Sequence, residues 1–132
     1  MELTIPLSKE NLWTILTELR GQFEELYGSR LINLILYGSQ ARGDAEAGSD
    51  IDVLVVLKGP VNPGEEIERV GEITASLSLR YDVVISCIFI STDRFYKERS
   101  PLLLNVHREG IVLELAEQLI DSFPLSEPED VG

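Results

Sequence analysis

The chain has one cysteine, Cys87, one histidine, His107, and only 11 lysines and arginines against 23 aspartates and glutamates in 132 residues. A single cysteine cannot form an internal disulfide, and it fits a reducing compartment. His107 has no Cys, His or Asp partner at metal-binding spacing and is expected to pack or to face solvent. Cys87, among Ile85, Ile88, Phe89 and Ile90, reads as a small apolar residue of a strand. Long apolar runs are missing too, and nothing approaches the ~18 residues of a membrane span. The opening Met-Glu-Leu-Thr-Ile-Pro lacks the basic and apolar blocks of a secretory signal. The expected location is therefore cytoplasmic. The scarcity of cations gives a formal net charge of −12, a surface that repels nucleic acid and disfavours anionic membranes. Most of that acidity serves solubility.

Apolar residues make up 44% of the chain, enough to bury a core without disulfides or structural metal. The length fits one domain. It is expected over residues 1–123, followed by an acidic, proline-broken tail over 124–132. Leu12, Ile15, Leu16, Leu19, Phe23 and Leu26 fall on one helical stripe, with Ser8 as N-cap and Gly28 as stop. Leu31–Tyr37 and Ile51–Leu57 read as buried strands, and Lys58–Gly64 as a loop. Glu65–Arg80 reads as one long helix with Ile67, Val70, Ile73, Thr74 and Leu77 inward, and Tyr81–Ile90 as a third strand. A short helix is expected to be capped at Ser91, Thr92 or Asp93, and another to run from Pro101 to Gly110. Ile111–Phe123 reads as largely helical, with extension of the sheet by Ile111-Val112-Leu113 as the alternative. Helices interleaved with three apolar strands give an α/β layered domain.

What is present in quantity is chemistry near residue 40. Gly38-Ser39-Gln40-Ala41-Arg42-Gly43 is followed by Gly48-Ser49-Asp50-Ile51-Asp52, so ten residues separate Ser39 from Asp50. A glycine after a strand lets the backbone approach a phosphate closely, and Ser39 can add its hydroxyl. The positive end of the helical turn that follows favours anions. Arg42, one turn on, can reach a β- or γ-phosphate. Asp50 and Asp52, two apart at the start of a strand, point to one face with Cα atoms roughly 6–7 Å apart. Such a pair suits one or two hard cations such as Mg2+, which takes one or two carboxylates plus substrate phosphates. Asp82 is expected at the start of the third strand. If that strand neighbours the Asp50–Asp52 strand, three carboxylates cluster at one sheet end and need cations to relieve their repulsion. Each feature alone has an ordinary reading: a strand-ending glycine, a capping serine, a surface arginine, solvated loop acids. In this register they point to nucleotidyl transfer from a nucleoside triphosphate.

Gly38-Ser39, Arg42-Gly43 and Ser49-Asp50-Ile51-Asp52 resemble the signature of the DNA polymerase β-like nucleotidyltransferase superfamily. The small size resembles its minimal members, the MNT proteins. The likeness runs from about Leu31 to Asp82, and Glu109-Gly110-Ile111-Val112-Leu113 is similar to the family's C-terminal stretch. The resemblance implies a mixed β-sheet flanked by helices. It makes Asp50, Asp52 and Asp82 catalytic metal ligands and Gly38, Ser39 and Arg42 phosphate contacts, with two Mg2+ ions and ATP as the substrate. Minimal members are often antitoxins that transfer AMP to a tyrosine of a HEPN-domain ribonuclease toxin, which implies a hetero-oligomer with that partner. Two other readings stand beside this one: an antitoxin that only binds its partner, and an enzyme acting on a small hydroxylated molecule such as an aminoglycoside.

Overall fold

The computed structural model describes residues 7–113. Three expectations lie outside those residues: the helical continuation to Phe123, the acidic tail, and with them the full extent of the domain. Helix α1 (Lys9–Tyr27) starts where Ser8 accepts a hydrogen bond from the Asn11 amide at 3.0 Å, and stops at Gly28, whose φ of 57° few other residues adopt. After a 3₁₀ turn come β1 (Leu31–Tyr37), the single turn α2 (Ser39–Arg42), and β2 (Ile51–Leu57). Helices α3 (Pro63–Arg69) and α4 (Gly71–Tyr81) lead to β3 (Ile85–Ser91), and α5 (Thr92–Lys97), α6 (Pro101–Glu109) and β4 (Ile111–Val112) complete the described chain. Among the described residues no helix is long and apolar enough to cross a membrane.

The four strands form a mixed sheet in the order β3-β2-β1-β4. β1 runs antiparallel to β2 and to β4, whereas β2 and β3 are parallel. Of the two readings for residues 111–113, sheet extension is the one observed for Ile111 and Val112. Because side chains alternate along a strand, the sheet carries two cores. One face, with Leu34, Leu36, Val53, Val55 and Phe89, packs under the Leu12–Phe23 stripe of α1 and Leu77 of α4. The other, with Ile35, Leu54, Val56 and Ile90, is covered by Phe95 of α5 and by Leu103 and Val106 of α6.

Four sequence expectations change. Leu26 is 41% exposed and Tyr27 takes its inward place. The expected long helix breaks at Val70 into α3 and α4, and Ile67 turns to solvent while Glu66 is buried. The helical start also moves back to Pro63, where Asn62 caps the first turn through the Glu65 amide. Behind the burial of Tyr27 and Glu66 in place of Leu26 and Ile67 is a polar network. The Tyr27 hydroxyl donates to Glu66 at 2.7 Å, and Arg30 Nη1 donates to its other carboxylate oxygen at 3.1 Å. Arg69 lies 3.1 Å from the first oxygen. Arg30 also donates to the carbonyls of Lys58 and Pro60, fastening the loop after β2 to the start of β1. A buried charge is tolerable only when so paired, and apolar periodicity is blind to it.

Burial alone pulls the Glu66 carboxyl upward, but the Tyr27 hydrogen bond and the Arg30 and Arg69 charges outweigh it and hold the group below the usual glutamate range. Glu66→Ala is expected to lower stability at neutral pH by about 2–3 kcal/mol, since charged hydrogen bonds are lost and Tyr27 is orphaned. The Glu66 contribution is complete above the unfolded value of ~4.3 and fades as pH falls through the lower folded value. Urea unfolding of both chains should therefore give midpoints that converge in acid. Equal midpoints at neutral pH would deny the network any structural weight.

Candidate active site

The antiparallel register of β1 and β2 sets Tyr37 opposite Asp52. The next residue, Gly38, has φ 80° and ψ −159°, and a Cβ built on it would lie 2.5 Å from an Asp52 carboxylate oxygen. Glycine is required here on both counts: the backbone conformation and the space. α2 then folds back at once, with the amides of Ala41 and Arg42 donating to the Gly38 carbonyl. The first amides of a helical turn have no partner within it, so Ser39 and Gln40 offer donors, and Ser39 a hydroxyl, beside the Asp52 carboxylate. The loop back to β2 is held by Ser49, whose hydroxyl accepts from the Glu46 amide at 2.9 Å, and by Gln40, which donates to the Ser49 carbonyl at 3.4 Å.

Asp52 lies within β2 and Asp50 just before it, so both fall on the Leu54–Val56 face. Burial, and then the Asp50 charge, push the Asp52 carboxyl above the usual aspartate range, against an opposing pull from Arg42. Two hard, like-charged oxygen donors with one nearby guanidinium form a donor set that fits Mg2+. Arg42, at the end of α2, donates from Nε to Asp44 at 3.1 Å and from Nη1 to Glu109 at 3.0 Å. Those two acids, Asp44 first, hold the guanidinium firmly charged. Glu109 is the site neighbour that the motif does not contain. It comes from the last turn of α6, and its link to Arg42 is a contact across 67 positions of sequence.

Asp82 departs from expectation. The third strand begins at Ile85, not Tyr81, and Asp82 caps the C-terminus of α4 in the left-handed conformation, φ 55° and ψ 52°. Aspartate tolerates this geometry better than most residues, and its side chain is exposed. Val84, which the expected third strand would contain, lies before β3 and is 56% exposed. The residue in register with Asp52 on β3 is Ser86, and its hydroxyl donates to Asp50 Oδ2 at 3.3 Å. Among the described residues no group of three Asp, Glu, His or Cys side chains is placed to share a metal ion. The site thus brings together Gly38, Ser39, Arg42, Asp50 and Asp52, and leaves Asp82 outside. His107 meets the Phe95 carbonyl and ring from the exposed side of α6, as a packing residue does. Cys87 points to the opposite face of the sheet, where burial pushes its thiol up to about 12.

The family model described as "Nucleotidyltransferase domain" matches residues 16–113. A chain of Methanocaldococcus jannaschii, provisionally named a protein adenylyltransferase, is 40% identical over 88 residues, which are 66% of this chain and 82% of that one. The protein adenylyltransferase MntA of Thermococcus cleftensis is 34% identical over 79 residues, 60% of this chain and 78% of its own. The fold is shared with a toxin–antitoxin crystal structure containing AMP-PNP, at a TM-score of 0.52 and 19% identity over 90% of this chain and 82% of that one.

Gly38→Ala is expected to cost about 1–3 kcal/mol through backbone strain and to turn the Asp52 carboxylate away. Thermal melting with and without Mn2+ separates these effects: a lowered Tm together with lost Mn2+ stabilisation is expected, and retained stabilisation by Mn2+ would contradict the role given to this glycine. With its mixed sheet, its glycine-serine turn against a paired-acid strand, and a family model matching from α1 to Leu113, the chain belongs to the nucleotidyltransferase domain family.

Proposed function

We propose that this protein transfers AMP from ATP, with Mg2+, to a tyrosine of a HEPN-type ribonuclease toxin, and so acts as an antitoxin. The observation that carries the proposal is the approach of Gly38 to Asp52, which joins a phosphate-binding turn to a cation-binding carboxylate at one point. The names of the M. jannaschii and T. cleftensis relatives support a protein as the acceptor, and the AMP-PNP toxin–antitoxin structure supports the nucleotide and the setting.

In the reaction, the acceptor oxygen forms a bond to the α-phosphorus of ATP. The bond from that phosphorus to the oxygen bridging the β-phosphate breaks, pyrophosphate leaves, and the hydroxyl proton passes to solvent. Ser39 and the turn amides hold the outer phosphates, and Arg42 faces the charge that develops on the leaving group. Asp50 and Asp52 would hold Mg2+, which when bound neutralises phosphate charge and orients the triphosphate. A tyrosine acceptor is favoured because a phenol with pKa ~10 is the hydroxyl side chain that releases its proton most readily, and no third acid joins Asp50 and Asp52 in a metal-holding group among the described residues. The same missing acid favours a second reading, in which the protein neutralises its partner by binding alone.

Intact-mass spectrometry of the partner toxin after incubation with this protein, ATP and Mg2+ separates the two. Addition of one or more AMP units is expected, with Asp50→Asn and Asp52→Asn each reducing the rate by about 100-fold or more. A tight complex with no added mass, and full neutralisation by Asp52→Asn, would replace the transferase reading with the binding one. Mapping the modified residue to anything other than tyrosine would overturn that part of the proposal.

A further inference from the structure

Beyond the motif, one residue on β3 stands against the acids. Parallel pairing puts Ser86 beside Asp52 on the same face of the sheet, and its hydroxyl donates to Asp50 at 3.3 Å. Asp50 lies outside the strand ladder and is exposed, so its side chain would otherwise sample several rotamers. Its backbone is fixed, because the following amide, that of Ile51, donates to the Val84 carbonyl at 2.9 Å. The Ser86 hydroxyl supplies what the backbone cannot: it ties one carboxylate oxygen and leaves the other free. A hydroxyl adds no negative charge, so it orients Asp50 without adding to the repulsion between Asp50 and Asp52, the effect a third carboxylate at this register position would have.

We propose that Ser86 is a positioning residue of the cation site, holding Asp50 in the orientation that binds a divalent metal. This inference rests on the metal-binding role given above to Asp50 and Asp52. Partners of metal ligands typically carry a 10–100-fold share of affinity, and an exposed bond of this length belongs at the low end of that range.

The test is Mn2+ binding to the full chain, followed through the electron paramagnetic resonance of the free ion, for the native protein, Ser86→Ala, Ser86→Thr and Asp52→Asn. Ser86→Ala is expected to weaken Mn2+ binding by about 10-fold with an unchanged Tm, and Ser86→Thr, which keeps the hydroxyl on a β-branched strand residue, to restore it to within about 2-fold of native. Native affinity in Ser86→Ala, or equal loss in the threonine and alanine variants, would overturn the role of Ser86. Weak binding by Asp52→Asn alongside native binding by Ser86→Ala would confine the failure to this inference. Native binding by Asp52→Asn would remove the cation site itself, and the inference with it.

Discussion

The site depends on the contact between Gly38 and Asp52. A seven-residue strand runs out of the core, turns within one helical turn, and its antiparallel neighbour starts back with a carboxylate against that turn. The register of β1 and β2 is fixed by the apolar residues of both faces, Leu34 and Leu36 on one and Ile35 on the other, since a slip of one residue would exchange them. Core packing therefore sets the distance between the glycine-serine turn and the acid, and no loop intervenes at the point of contact. The longer loop, from Gly43 to Asp50, lies on the other side of α2, where Ser49 and Gln40 restrain it.

Electrostatics completes the arrangement. In a chain with a net charge of −12, a site for a polyanion needs local cations. Arg42 is the one the described site provides, held between Asp44 and Glu109. The pairing has two consequences. It keeps an exposed side chain on the side of Asp52, where its charge opposes the upward push of burial and of Asp50 on that carboxyl. It also ties the last turn of α6 to the site, so that the helix covering one end of the acidic face helps to aim the guanidinium. Exposed pairs of this kind contribute little to stability; their weight here is geometric.

The fold was largely legible in the sequence wherever apolar periodicity decides structure. Both β1 and β2 follow from it, while the cap at Ser8 and the stops at Gly28 and Gly110 follow from residue type, and of the three cap candidates Ser91, Thr92 and Asp93 the structure uses Ser91. The misreadings occur where polar groups decide. Leu26 and Ile67 look like core residues by spacing, yet the Tyr27–Glu66–Arg30 network rotates both faces, and only the structure shows a buried glutamate with three partners. The motif made Gly38, Ser39, Arg42, Asp50 and Asp52 recognisable because they are close in sequence. Asp82 was misplaced because its strand starts four residues later, at Ile85, than the β-branched run implies. Ser86 reaches the site through pairing register, which leaves no local signature, and Glu109, although it opens the stretch similar to the family's C-terminal part, shows its pairing with Arg42 only in the structure.

The two faces of the sheet explain why chemistry occurs where it does. The face under α1 and α4 is covered by long helices and packs apolar side chains together with Cys87, whose thiol burial pushes up. The opposite face is covered by the short helices α5 and α6, with Phe95, Leu103 and Val106 seated on Leu54, Val56 and Ile90. Since β2 and β3 are parallel, α5 leaves from the far end of β3, away from the strand starts where Asp50, Asp52 and Ser86 meet, while the last turn of α6 reaches the site through Glu109. Ile88 and Val84, on the same face of β3, are 38% and 56% exposed. Among the described residues β3 is also an edge strand, and Asp50 beside it is exposed. An enclosed pocket would select a small acceptor by shape, whereas acids at an edge strand leave selection to the surface of whatever docks there, which suits the macromolecular acceptor proposed above.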